Sequence, residues 1–138
     1  MSHAIHANIG RDKYRMTIRT KDGPPLTLIA DEPVDAGGTG LGFSPHQLLA
    51  AALGACTNAT VRMYADRKGW PLEAIDTDVV ITHGESVDTT QIRRTITFTG
   101  ALDQSQRARL LYIAERCPIH RTLAGSVTIA TELVAPAS

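Results

Sequence analysis

The 138-residue sequence is long enough for one domain with a real core, yet short enough to gain from a partner. Fourteen Lys and Arg balance fourteen Asp and Glu, and aromatics are only 4%. Neither a phosphate-backbone or anionic membrane surface nor a stacking platform for single-stranded nucleic acid is therefore expected.

The N-terminus, Met1-Ser2-His3-Ala4-Ile5-His6, lacks a basic region followed by an apolar one. The longest apolar run, Leu48 to Cys56, is far too short to span a bilayer. A soluble cytoplasmic protein is the expectation. Two cysteines in a reducing compartment point to transient chemistry, not a permanent staple.

In chain order, residues 3 to 30 read as a meander of three short strands. Turn signals fall at Asn8-Ile9-Gly10-Arg11-Asp12 and Lys21-Asp22-Gly23-Pro24-Pro25, around an alternation of Tyr14, Met16 and Ile18 and before the apolar Leu26 to Ala30. Asp31 to Gly42 is a glycine-rich loop that matches no nucleotide-binding fingerprint, so it reads as a flexible connection, with a lid as the lesser alternative.

A long helix is predicted from Pro45 to Lys68. Ser44 and Gln47 form a capping-box pattern, Pro45 suits the first helical position, and Gly69 and Pro71 stop it. Leu48 to Cys56 is apolar or small on every side, which predicts a helix surrounded by protein. The spacing puts Leu49, Ala52, Cys56, Ala59, Thr60 and Met63 on its inner face.

Two strands follow, with Thr77, Val79, Ile81 and His83 on one face and Ile92, Arg94, Ile96 and Phe98 alternating likewise. Gly84 to Asp88 makes the hairpin turn. Asp103 and Gln106 cap a second helix whose inner face carries Leu110, Ile113, Ala114 and Cys117, ended by Pro118. Pro118 to Leu123 is a further short turn, Val127 to Leu133 a last strand, and Ala135 to Ser138 a loose tail.

Cys56, inside a helix, is either a small core residue or a reactive group sheltered from bulk water. Cys117 precedes a proline that can open a short helix. Unpaired backbone N–H groups there favour a thiolate, and His120 and Arg121 add positive charge; a core or cap role is the alternative. If the two cysteine faces pack on each other, the residues come within the roughly 4.4–6.8 Å Cα range of a disulfide. An attacking cysteine, a resolving cysteine and a cation make a thiol peroxidase. His46, Cys56, Cys117 and His120 are also zinc-ligand types, but without the close spacings of structural zinc sites. A hydrolase with His46 or His120 as base has no evident carboxylate partner.

The run Pro45 to Thr57 together with Cys117-Pro118-Ile119-His120-Arg121-Thr122-Leu123 resembles the OsmC/Ohr family, the osmotically inducible and organic hydroperoxide resistance proteins. The likeness extends over nearly the whole chain. It implies an α+β fold in a single domain over residues 1–138: N-terminal antiparallel strands, a long central cysteine-bearing helix, a hairpin, a second helix and a final strand, in an intertwined homodimer. It implies reduction of organic hydroperoxides without metal, flavin or other cofactor. Cys56 would be the peroxidatic thiolate, Cys117 the resolving thiol, and a dithiol such as a lipoyl protein the reductant.

The family's thiolate-pairing arginine follows a glycine, which points to Arg11, with Arg15 and Arg19 as alternatives. His46 stands where the hydroperoxide branch carries a glutamate, and Gln47 cannot supply its charge. Cys117-Pro118-Ile119-His120 replaces that branch's Cys-Pro-Tyr. With His46, Gln47 and His120 around the pocket, the chain looks closer to a less characterised OsmC-like branch, of slower or different peroxidase activity. The competing expectation is a non-enzymatic protein that binds a small hydrophobic ligand or senses redox state.

Overall fold

The computed structural model describes residues 2–86 and 89–134. The architecture is α+β, with three α-helices and antiparallel sheet among the described residues. β1 (Ile5–Asn8), β2 (Met16–Thr20) and β3 (Thr27–Ala30) form an antiparallel meander in which Ile5 pairs with Thr20 and Met16 with Ala30. α1 spans Pro45–Lys68, β4 Leu72–Thr82, β5 Gln91–Gly100, α2 Gln104–Ala114 and α3 Pro118–Ala124; β4 and β5 form a two-stranded sheet.

The chain divides into two compact units, residues 1–52 with 79–93, and residues 53–78 with 94–138. In the first unit, Ala30 and Asp31 are fully buried while Ile5, Leu26 and Leu28 are exposed. The connection from Asp31 to Gly42 is not slack, as its glycines suggested. It contains a 3-10 turn at Val34–Ala36, and the Asp31 carboxylate accepts hydrogen bonds from the backbone N–H of Glu32 (2.7 Å), Thr39 (3.3 Å) and Tyr14 (3.4 Å) and from the Thr39 hydroxyl. The Thr39 hydroxyl, and then these N–H groups, hold the carboxyl below its usual range against the opposing pull of burial. Gly42 lies so close to β3 that a Cβ there would sit 2.6 Å from the Ile29 carbonyl oxygen.

The second unit holds the main core: Val61, Ala65, Leu72, Leu110 and Ala114, with Trp70, Ile75, Ile96, Phe98 and Leu102 packed against them. Arg107 fastens α2 to the end of β5, its guanidinium donating to the carbonyls of Phe98 (2.8 Å), Gly100 (3.0 Å) and Leu102 (3.3 Å).

Local signals behaved as chemistry dictates. Ser44 Oγ accepts from the Gln47 N–H at 3.2 Å while Gln47 Oε1 accepts from the Ser44 N–H at 2.9 Å; Asp103 and Gln106 repeat the device on α2. Gly69 closes α1 at φ +69°, a conformation that costs a side-chain-bearing residue and not glycine.

Four expectations need correction. The buried face of α1 is Leu53, Thr57, Val61 and Ala65, whereas Leu49 and Met63 are exposed and Cys56 only half-buried. Of residues 48–56 in its first half, Leu53 alone is buried among the described residues. An apolar stretch without a polar side cannot announce which stripe faces the core. α2 ends at Ala114, before Cys117, because Glu115, Arg116 and Cys117 turn away with N–H bonds back to Leu111, Ile113 and Ala114. Residues 126–134 form no strand among the described residues, since a strand exists only through a paired neighbour and here it has none. The expected hairpin turn falls partly on residues 87–88, and the expected loose tail on residues 135–138, both outside the described residues.

Candidate active site

Cys56 sits at mid-helix in α1, half-buried, with its Sγ 3.9 Å from the Thr60 hydroxyl one turn on. Cys117 is fully buried and caps α3: its extended backbone (φ −66°, ψ 149°) lets Sγ accept the His120 N–H at 3.4 Å, and Pro118 follows at the first helical position. A sulfur thus occupies the place that a serine or aspartate oxygen usually takes at a helix start.

Between them lies a residue that sequence reasoning passed over. Arg94 stands on the inward row of β5 with Ile96 and Phe98. Its Nη1 donates to Thr57 Oγ1 at 3.0 Å and its Nη2 to His120 Nδ1 at 2.9 Å. Thr57, fully buried, sends its own hydroxyl proton to the Leu53 carbonyl at 2.7 Å and so presents a lone pair to the guanidinium. Because arginine can only donate, Nδ1 of His120 must be the bare nitrogen, and a neutral ring then carries its proton on Nε2. The signal in the sequence was an arginine inside the apolar alternation Ile92, Arg94, Ile96, Phe98, a cation on a face that should bury carbon.

Of the expected site residues, the structure thus joins Cys117 and His120 directly, and ties His120 through Arg94 to Thr57, the neighbour of Cys56. The others belong to the first unit. Arg11 is an exposed turn residue, and Arg15 and Arg19 are exposed on and beside β2. His46, in the first turn of α1, meets His83 edge-on with ring centroids 4.6 Å apart, and His83 is held by Thr90 at 3.0 Å. Gln47, besides capping, lines an apolar groove of about 440 Å³ with Leu28, Ile29, Leu41 and Phe43. Among the described residues no three His, Cys, Asp or Glu side chains converge as metal ligands. No described helix is long and apolar enough to cross a membrane.

The family model described as OsmC-like protein matches residues 38–132, which include α1 and both cysteines. The chain belongs to the OsmC-like family. Its fold is that of solved family members: an OsmC-like protein from Mycoplasma pneumoniae matches with a TM-score of 0.76 at 22% identity, covering 91% of this chain and 89% of that one. An organic hydroperoxide resistance protein OsmC from Legionella pneumophila matches at 27% identity and TM-score 0.65, over 91% and 90% of the two chains. The organic hydroperoxide resistance protein OhrB of Bacillus subtilis matches at 26% and 0.62, over 91% and 92%. No curated protein matches the chain. The OsmC-like family therefore supplies a fold and a company of hydroperoxide-resistance proteins, while the side-chain network around Arg94 is read from this chain alone.

Proposed function

We propose that this OsmC-like protein is a two-cysteine thiol peroxidase for organic hydroperoxides. The observation that carries the assignment of roles is the unequal access of the two sulfurs: Cys56 is half-buried and reachable, whereas Cys117 is fully buried and tied into a helix cap. An incoming hydroperoxide meets Cys56 first. Its thiolate attacks the terminal oxygen of ROOH, the O–O bond breaks, and the alkoxide leaves and takes a proton to become ROH. Cys56 is then a sulfenic acid, which the Cys117 thiol converts to a disulfide with loss of water. A dithiol, by the family resemblance a lipoyl-type carrier, opens that disulfide by two exchanges and is itself oxidised.

Organic hydroperoxide as substrate class rests on the Legionella and Bacillus relatives. The resemblance gives Arg11 the part of the cation that pairs with the Cys56 thiolate, and makes the working form a homodimer in the cytoplasm.

The test is intact-mass analysis of reduced protein after brief exposure to cumene hydroperoxide and, separately, hydrogen peroxide. The expected result is loss of two hydrogens per chain, mapped to a Cys56–Cys117 bond and faster with the organic substrate. Cys56→Ser should abolish it, and Cys117→Ser should leave a dimedone-reactive sulfenic acid on Cys56. Both thiols remaining reduced under excess hydroperoxide would end the peroxidase reading.

A second reading has its own observation, the groove lined by Leu28, Ile29, Leu41, Phe43 and Gln47. A protein that simply binds a small hydrophobic ligand there would be stabilised by fatty acids even with both cysteines replaced.

A further inference from the structure

A guanidinium on the inward face of a sheet is costly to hold unless its donors find acceptors. Arg94 is not neutralised by a carboxylate; the only ion pair among the described residues is Arg62 with Asp66. Its two named bonds go to a hydroxyl and an imidazole that belong to two different helices, α1 and α3. Each acceptor stands beside a cysteine in a defined way. Thr57 follows Cys56 in the same helix. His120 gives its backbone N–H to Cys117 Sγ and its ring Nδ1 to Arg94.

α3 has few other means of staying in place. It is seven residues long and none of them is buried. Among the described residues, the Arg94–His120 bond is the one side-chain hydrogen bond that leaves this helix for another element; the Thr122 hydroxyl bonds back to Pro118 within it.

We propose that Arg94 is a positioning residue for the second chemical step: it clasps the Cys117 turn to the Cys56 helix and sets the rate at which the disulfide closes. The inference rests on the two-cysteine reading above. The step it governs is condensation of Cys56–SOH with the Cys117 thiol. The S–S bond forms as the S–O bond breaks, the thiol proton and the hydroxyl leave as water, and no further oxidant is consumed. Arg94 touches neither reacting sulfur in this account. Its effect is on geometry, where small misplacements carry large rate penalties.

The experiment follows the two steps separately. Reduced protein is mixed rapidly with cumene hydroperoxide, quenched at intervals with dimedone or acid, and read by intact mass for sulfenic acid and for disulfide. In Arg94→Met, Cys56 oxidation should stay within about twofold of wild type while closure slows about tenfold or more, so that trapped sulfenic acid accumulates. Thr57→Val removes one acceptor without changing shape and should slow closure in the same direction.

At His120 two variants separate the bond from bulk. His120→Asn keeps an acceptor near the Nδ1 position and should retain most of the closure rate, whereas His120→Leu should not. These two alter a short helix none of whose residues is buried and leave the buried core residues untouched, so they test the clasp even if an Arg94 variant fails to fold. Wild type forming the disulfide while Arg94→Met and His120→Leu close at the wild-type rate would overturn the clasp alone. Equal slowing of both steps in His120→Leu and His120→Asn would overturn it as well. Absence of any disulfide in wild type would remove the two-cysteine reading and the clasp with it.

Discussion

Asp31 shows what a single buried side chain can do for a loop. Its carboxylate takes hydrogen bonds from Tyr14, Glu32 and Thr39, so the glycine-rich connection is gathered around one anion. These donors lower its folded-state pKa, the Thr39 hydroxyl most of all. A carboxylate depressed in this way contributes stability that is present above the unfolded value of about 3.9 and is lost as pH falls through the folded value. Asp31→Asn should therefore lower the thermal midpoint at neutral pH, and the gap to wild type should shrink as pH drops below 4. Melting curves from pH 7 to pH 3 check this; a gap that stays constant would refute the anion's role. The same residue marks a limit of sequence reading. Asp31 looked like the polar start of a flexible loop, and only the fold shows four donors converging on it from separate stretches. Arg94 was legible in principle, as a charge within an apolar alternation, but its acceptors Thr57 and His120 lie 37 and 26 positions away in sequence.

At the scale of elements, what was local was readable. The ends of α1, the capping boxes and the start of α3 depend on neighbours within four residues, and the sequence carries them outright. The orientation of α1 was not readable, because alanine, glycine and leucine surround its first half, and the polar Thr57 disguised the buried stripe. That stripe makes a measurable distinction. Val61, wholly buried, should cost about 2 kcal/mol when cut to alanine, from two methyl groups at about 0.8 kcal/mol each and the cavity they leave. Met63→Ala, on the exposed side two residues later, should stay within about 0.5 kcal/mol in an isolated chain. Urea unfolding of both variants decides it, and the reverse order would restore the face expected from spacing. Gly42 offers a test of a different kind. Alanine there places a Cβ 2.6 Å from the Ile29 carbonyl oxygen, so Gly42→Ala should destabilise by about 1–3 kcal/mol. A neutral result would mean that β3 and the loop beside it yield easily.

For the whole molecule, the unfinished business is apolar surface. Val127, Ile129 and Leu133 keep the alternation that predicted a last strand, yet all three are exposed and unpaired among the described residues. Among the described residues β1 and β3 are the outer strands of their sheet, β3 meeting only Phe43 through a single bridge at Ala30, and Ile5, Leu26 and Leu28 in and beside them are exposed too. A strand pattern without a sheet, and outer strands with little pairing among the described residues, are the ingredients for pairing between copies. The alternation is there in the sequence, but a pattern alone forms no strand, and among the described residues nothing pairs with it. On the homodimer proposed above, light scattering at micromolar concentration should report two chains of 14.8 kDa. Ile129→Asp should shift the population towards single chains and lower the thermal midpoint, while Glu132→Gln, on the opposite parity of the same segment, should do neither. A wild-type monomer at these concentrations would refute the dimer. A dimer indifferent to Ile129→Asp would keep the association but move it away from residues 126–134, leaving their apolar alternation in need of another partner.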